Sequence, residues 1–249
     1  MKQTIIDFIK KYDFSFIGSM YAIFFIGILN LYSATHDQAS TQLQVIFGSQ
    51  LKWFFVANIV AIVISLFPPK SLIRLSYWAY AFNVFLLILV LLLGKKGMGA
   101  QRWLEFAGFR LQPSELMKIS LAMALSRYYS KKSPEKELYL KDLIVPFIIT
   151  IVPTILIVNQ PDLGTGLLLI LIFLVISFFK RLRWKSIAII SLIGVLSSLL
   201  MYNFGLKEYQ KRRIITFLNP QADAKGSGYN AIQSQIAIGS GRFLGKGFK

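Results

Sequence analysis

The chain has 249 residues, 55% of them hydrophobic and 14% aromatic, with a mean hydropathy of +0.58 and a formal net charge of +17. It is too apolar for a soluble domain and reads as an all-α polytopic membrane protein. Cysteine is absent and His36 is the single histidine, which excludes disulfides, thiolate metal centres and multi-histidine metal sites.

The basic residues are scattered over short loops between apolar runs, a pattern that fits anionic lipid and excludes nucleic acid as a partner. A spanning helix needs about 20 mostly apolar residues. Seven stretches qualify: residues 14–33, 51–67, 75–93, 113–129, 143–158, 164–179 and 187–204. The first follows Lys2, Lys10 and Lys11 and has no small-residue cleavage site, so it reads as an uncleaved span. Lys and Arg concentrate between spans two and three (Lys70, Arg74), four and five (Arg127 to Lys141) and six and seven (Lys180 to Lys185). The connections 35–50 and 159–163 hold none. The positive-inside rule therefore places the N-terminus in the cytoplasm.

Two segments break that rule on the outer side. The loop 94–112 carries Lys95, Lys96, Arg102 and Arg110, and the tail 205–249 carries eight more basic residues from Lys207 to Lys249. Long segments cross membranes regardless of charge, which covers the tail better than the loop. The sharper reading is an anionic ligand on the outer face, such as a pyrophosphate. In the tail, Phe217 to Pro220 reads as a turn and residues 229–238 as a helix punctuated by glycines.

Three motifs carry candidate chemistry. Gln101-Arg102-Trp103 precedes the fourth span, where Trp103 is an interface anchor or a platform for a lipid head group and Arg102 a phosphate donor. Gln112-Pro113-Ser114-Glu115-Leu116-Met117-Lys118 opens that span. Pro113 suits the first helical position, Glu115 the positive end of the helix dipole, and Glu115 and Lys118 share one face. Gln160-Pro161-Asp162-Leu163-Gly164-Thr165 joins two short spans. Asp162 there is a helix cap, or a carboxylate of a re-entrant loop that accepts a proton, binds a cation or pairs with Lys118.

Together with the run Phe217–Gly247, these motifs resemble, in order and spacing, the SEDS family of bacterial membrane proteins (shape, elongation, division, sporulation), and the rod-shape branch more than the division branch. The resemblance implies one membrane domain over 1–249, about ten spans in complete members, and a large extracytoplasmic loop beginning at 205. It implies a multi-pass protein of the bacterial cytoplasmic membrane that polymerises lipid II into glycan, releases undecaprenyl pyrophosphate and works with a class B penicillin-binding protein. It implies that the family's catalytic Asp lies beyond Lys249, so this chain is expected to be a fragment. Gly241-Arg242 stands where members usually have Gly-Gly. On this reading Arg102, Trp103, Glu115, Lys118 and Asp162 bind the substrate. Asp162 completes the cavity or holds a divalent cation, Mg or Mn, for which carboxylate and phosphate oxygens are suitable ligands. A flippase or other transporter, with Glu115, Lys118 and Asp162 as a polar pathway, is the rival expectation. A scaffold that only binds the penicillin-binding partner is a third.

Overall fold

The structure is a computed structural model that describes residues 13–36, 41–97, 100–106, 109–132, 137–206, 208–224, 226, 228–242 and 245. The elements in order are α1 (Phe14–His36), α2 (Thr41–Ser65), α3 (Pro69–Leu93), β1 (Lys95–Gly97), β2 (Ala100–Phe106), β3 (Phe109–Leu111), α4 (Pro113–Ser130), α5 (Ile144–Asn159), α6 (Leu163–Phe179), α7 (Trp184–Leu200), α8 (Glu208–Leu218) and α9 (Tyr229–Gly241). Among the described residues, five segments are long and apolar enough to cross a membrane: Phe14–Ser33, Val45–Ser65, Pro69–Leu93, Leu140–Asn159 and Trp184–Gly205. The other two expected spans form helices of a different kind. At 17 residues, α6 is apolar but short, while α4 carries the charged residues Glu115, Lys118 and Arg127 along its length. The N-terminal lysines, Gly99, Lys136, Lys207, Lys225 and Lys246 to Lys249 lie outside the described residues, as do the side chains of His36, Lys95 and Lys96.

The chain divides into two compact units. In the unit of residues 1–66 and 206–249, α1 and α2 form an antiparallel pair. Phe24 stacks on Phe54 with ring centroids 3.6 Å apart, and the Tyr21 hydroxyl donates to Asn58 Oδ1. That bond satisfies a polar pair where lipid offers no partner. Further along, α8 and α9 are joined through a 3₁₀ turn, Pro220–Asp223. The turn expected at Phe217 to Pro220 falls later, because Phe217 and Leu218 still belong to α8, and the expected helix is present and longer than expected. Gly228 permits this connection, since a Cβ there would lie 2.1 Å from the Pro220 carbonyl oxygen. The amides of Gly226 and Gly228 both donate to Asp223 O, so they bind main chain here.

The second unit, residues 67–205, packs α3, α4, α5 and α6 around Leu87, Met117, Leu121, Leu125, Ile157, Leu169 and Phe173. Helices in lipid gain little from burying apolar area against one another, so close backbone approach matters more. Gly166 supplies it: a Cβ would stand 3.0 Å from Val158 Cγ2 and 3.6 Å from Thr154 Cγ2. Pro153 lies inside α5 and lacks an N–H, which frees the carbonyl of Ile149 one turn earlier. The Tyr80 hydroxyl of α3 donates to that carbonyl at 2.8 Å.

Helices α3 to α7 alternate in direction, so the unit has two ends. At the end where α4 and α6 finish, Leu138 N donates to Arg181 O at 3.1 Å and Arg183 N donates to Leu138 O at 3.3 Å. Ion pairs of Lys132 with Asp142 (2.7 Å) and Arg183 with Glu137 (2.8 Å) reinforce this staple. At the opposite end, the loop after α3 is a three-stranded antiparallel sheet in the order β1-β2-β3, a small addition to an otherwise helical fold.

Candidate functional site

The sheet sets the position of Arg102. Lys95 pairs with Trp103 and Gly97 with Ala100 across β1 and β2, and Glu105 pairs with Arg110 across β2 and β3. Arg110 Nε lies 2.9 Å from Glu105 Oε1, so this cation is tied up in a cross-strand ion pair of modest strength. Gln101 Nε2 donates to Gly94 O and fixes the sheet to the end of α3. No side chain but hydrogen fits at Gly94, whose Cβ would lie 2.5 Å from Val90 O.

Side chains alternate along a strand, and Arg102 projects to the α5–α6 turn. Its Nε donates to Gln160 O at 3.4 Å, its Nη2 donates to Pro161 O, and its Nε is 4.0 Å from Asp162 Oδ2. Asp162 caps α6: Oδ1 accepts from Thr165 N at 3.4 Å, and Oδ2 accepts from the Thr165 hydroxyl at 3.0 Å. The capping role expected from the sequence is therefore filled, and the cation beside Asp162 is Arg102 rather than Lys118. Gln160 was passed over in the sequence. It is buried, and its Nε2 donates to Leu87 O of α3 at 3.0 Å. A glutamine closing an apolar helix just before a proline was the available signal.

Pro113 starts α4 because the residue before a proline avoids the helical region, and Gln112 is extended at φ −106°, ψ 101°. Lys118 Nζ lies 2.8 Å from Glu115 Oε2, the pairing that the three-residue spacing predicts. The buried face of α4 carries Ser114, Met117, Leu121 and Leu125, and Lys118 falls at its edge. Glu115 is outside that face, with its side chain 55% exposed. The pair is thus at the rim of the unit and not within the bundle. Trp103 stays 42% exposed next to Arg102 in β2.

All five expected residues lie at the sheet end of the unit. Arg102, Asp162 and the α5–α6 turn form one connected cluster, and Glu115 with Lys118 form a second, on the first two turns of α4. Among the described residues no group of three or more His, Cys, Asp or Glu side chains is arranged to hold a metal. Both Asp162 oxygens accept from Thr165, with Arg102 beside them.

A bundle of apolar helices with a latched sheet at one end defines a polytopic membrane protein. The FtsW/RodA/SpoVE family of cell cycle proteins matches residues 14–249, and the chain belongs to that family. It is 33% identical over 190 residues to the peptidoglycan glycosyltransferase MrdB of Escherichia coli K12, covering 76% of this chain and 51% of that protein. It is 35% identical over 197 residues to the probable peptidoglycan glycosyltransferase FtsW of Wigglesworthia glossinidia brevipalpis, covering 79% and 51%. Among solved structures, a chain of a peptidoglycan synthase complex that coordinates polymerization and crosslinking superposes with a TM-score of 0.76 at 29% identity, over 92% of this chain and 65% of that one. The rod shape determining protein RodA of Thermus thermophilus superposes with a TM-score of 0.64 at 26% identity, over 77% and 60%. The chain spans about half the length of these curated relatives.

Proposed function

We propose that this chain serves peptidoglycan glycan synthesis, as part of a glycosyltransferase that polymerises lipid II at the outer face of the bacterial cytoplasmic membrane. The observation that carries the reading is the latched sheet end, where Arg102, Trp103, Lys118 and the α5–α6 turn gather on a chain of this family. The relatives' names, which specify peptidoglycan glycosyltransferases, support it. The basic staple end faces the cytoplasm and the sheet end faces outward, in accord with the positive-inside pattern.

Joining a sugar hydroxyl to an anomeric carbon that leaves a lipid pyrophosphate needs a base for the hydroxyl and positive charge for the departing group. Here Lys118 and Arg102 supply the charge. Glu115 orients Lys118, Asp162 and the main-chain carbonyls orient Arg102, and Trp103 packs against the head group. The base is assigned to none of the described residues. A divalent cation, Mg or Mn, would add positive charge at the departing pyrophosphate. A class B penicillin-binding protein is the partner this reading implies, and the synthase-complex relative supports it.

Glu115, Lys118 and Asp162 are all at one end of the unit, which suits a surface site better than a transport path across the bundle. Binding of fluorescent lipid II and of undecaprenyl pyrophosphate to detergent-purified protein tests the assignment. Lys118→Gln is expected to weaken both about tenfold, the loss of one charge-assisted contact. Equal affinity for undecaprenyl pyrophosphate and undecaprenol would remove the pyrophosphate reading. Lipid II movement across vesicles containing the purified chain, without binding changes in Lys118→Gln, would favour a transporter.

A further inference from the structure

At the staple end, α6 and α7 diverge and leave a groove of about 380 Å³. Its walls include Leu174, Phe178 and Leu182 on one side and Ile187, Ile190 and Gly194 on the other, and Ser191 carries the only polar side chain in its lining. The volume is within the range of small-molecule sites, and the lining suits a hydrocarbon chain. Beyond Ser186, α7 buries none of its residues, so the groove opens toward the surroundings of the bundle.

Four cations, Lys180, Arg181, Arg183 and Lys185, occupy the turn that closes this groove and the start of α7. Two have other work: Lys180 Nζ donates to Lys132 O at 3.2 Å, and Arg183 pairs with Glu137 at 2.8 Å. The side chains of Arg181 and Lys185 are exposed and make no hydrogen bond or ion pair among the described residues. Arg181 adjoins the lining residue Leu182 in the chain, and Lys185 is two residues from the lining residue Ile187. Phe179 and Trp184, 80% and 81% exposed, flank the same turn, and Trp184 is the kind of side chain enriched at a membrane interface. Apolar walls below an interface, topped by two uncommitted cations, complement one kind of molecule: an acyl chain attached to an anionic head.

We propose that the α6–α7 groove is a binding site for an anionic phospholipid, with an acyl chain between the helices and the phosphate-bearing head group held by Arg181 and Lys185. The site is at the opposite end of the unit from Arg102 and Lys118 and does not depend on the function proposed for them.

Native mass spectrometry of the full chain in detergent, titrated with dioleoyl phosphatidylglycerol or dioleoyl phosphatidylcholine, tests this. Phosphatidylglycerol binds more tightly than phosphatidylcholine. The double variant Arg181→Gln, Lys185→Gln loses about 30-fold in phosphatidylglycerol affinity and little for phosphatidylcholine, and Lys185→Gln alone, at an exposed position, loses about fivefold. No heavy atom comes within 4 Å of a Cβ built on Gly194, so Gly194→Leu fills the groove without colliding with its own bundle. It weakens long-chain phosphatidylglycerol at least about tenfold, by displacing the equivalent of two methylenes, at an unchanged thermal midpoint. Equal affinity for the two lipids overturns the proposal, as does wild-type lipid binding in the double-Gln and Gly194→Leu variants. A dimer that lipid does not dissociate and that Gly194→Leu abolishes would assign the groove to a second copy of the chain and overturn it equally.

Discussion

Consider removing Arg102 and Asp162 singly and together, alongside the same cycle on Glu115 and Lys118. Distance alone ranks the pairs one way: Lys118 Nζ is 2.8 Å from its carboxylate and Arg102 Nε is 4.0 Å from its own. Environment ranks them the other way. Two unit charges 4 Å apart attract by about 4 kcal/mol at an effective dielectric of about 20, which is a gross figure before desolvation. The Asp162 side chain is only 12% exposed and that of Arg102 is 31% exposed, so solvent screens the pair incompletely and about 1–2 kcal/mol of coupling should survive. With Glu115 at 55% exposure, the α4 pair is an ordinary helix-surface pair of about 0.3–0.5 kcal/mol. The lost cap at Asp162, about 1 kcal/mol, appears in its single mutant and cancels in the cycle. Reversible unfolding in mixed detergent micelles supplies the four free energies of each cycle. Hydrogen exchange supplies the location: the amides of Gln160 and of residues 162–166 should lose protection in Arg102→Ala, and those of α4 should not. A larger coupling for Glu115–Lys118 than for Arg102–Asp162 would refute the reasoning, because it would require the α4 pair to be the better shielded of the two.

Gly166→Val should destabilise by about 1–3 kcal/mol because its Cβ meets Val158 at 3.0 Å, whereas Gly164→Ala, with open space around its Cβ, should be neutral or slightly stabilising; thermal midpoints of the two variants check this. Gly228→Ala should disrupt the α8–α9 connection, seen as new proteolytic cleavage between residues 219 and 229, and Gly239→Ala, with nothing within 4 Å, should not. In whole spheroplasts, an impermeant thiol reagent should label Leu111→Cys and leave Lys131→Cys unlabelled, since both side chains are exposed at opposite ends of α4; the reverse pattern would invert the orientation.

The helices were legible because lipid demands long apolar runs with internally satisfied backbones, and such runs are written locally. Pro113 at the start of α4 was readable from the proline itself, and the Glu115–Lys118 pair and the Asp162 cap because each joins partners three residues apart. The sheet was not read, although Gln101 to Phe106 alternates polar and apolar side chains at a period of two over part of its length. Six residues between spans look like any loop until a partner strand is found. Arg102 was singled out as a cation, but its acceptors are 58 and 59 residues away in the chain, and no local pattern reports them. Gln160 was missed on the same grounds, because its amide answers a helix carbonyl at Leu87.

The staple at Leu138 bears on how this protein can change over generations. Two main-chain hydrogen bonds to the 181–183 segment fix the point where the chain re-enters the bundle, independently of the number of residues between Lys132 and Glu137. A β-bridge of this kind takes its strength from backbone groups that nearly every residue possesses. Insertions after Lys132 are therefore invisible to α5, and sequences that differ there in length can keep the same helix register and the same latched turn at the far end. Proline at 138 is the exception: it would remove the donor to Arg181 and couple loop length to bundle geometry again.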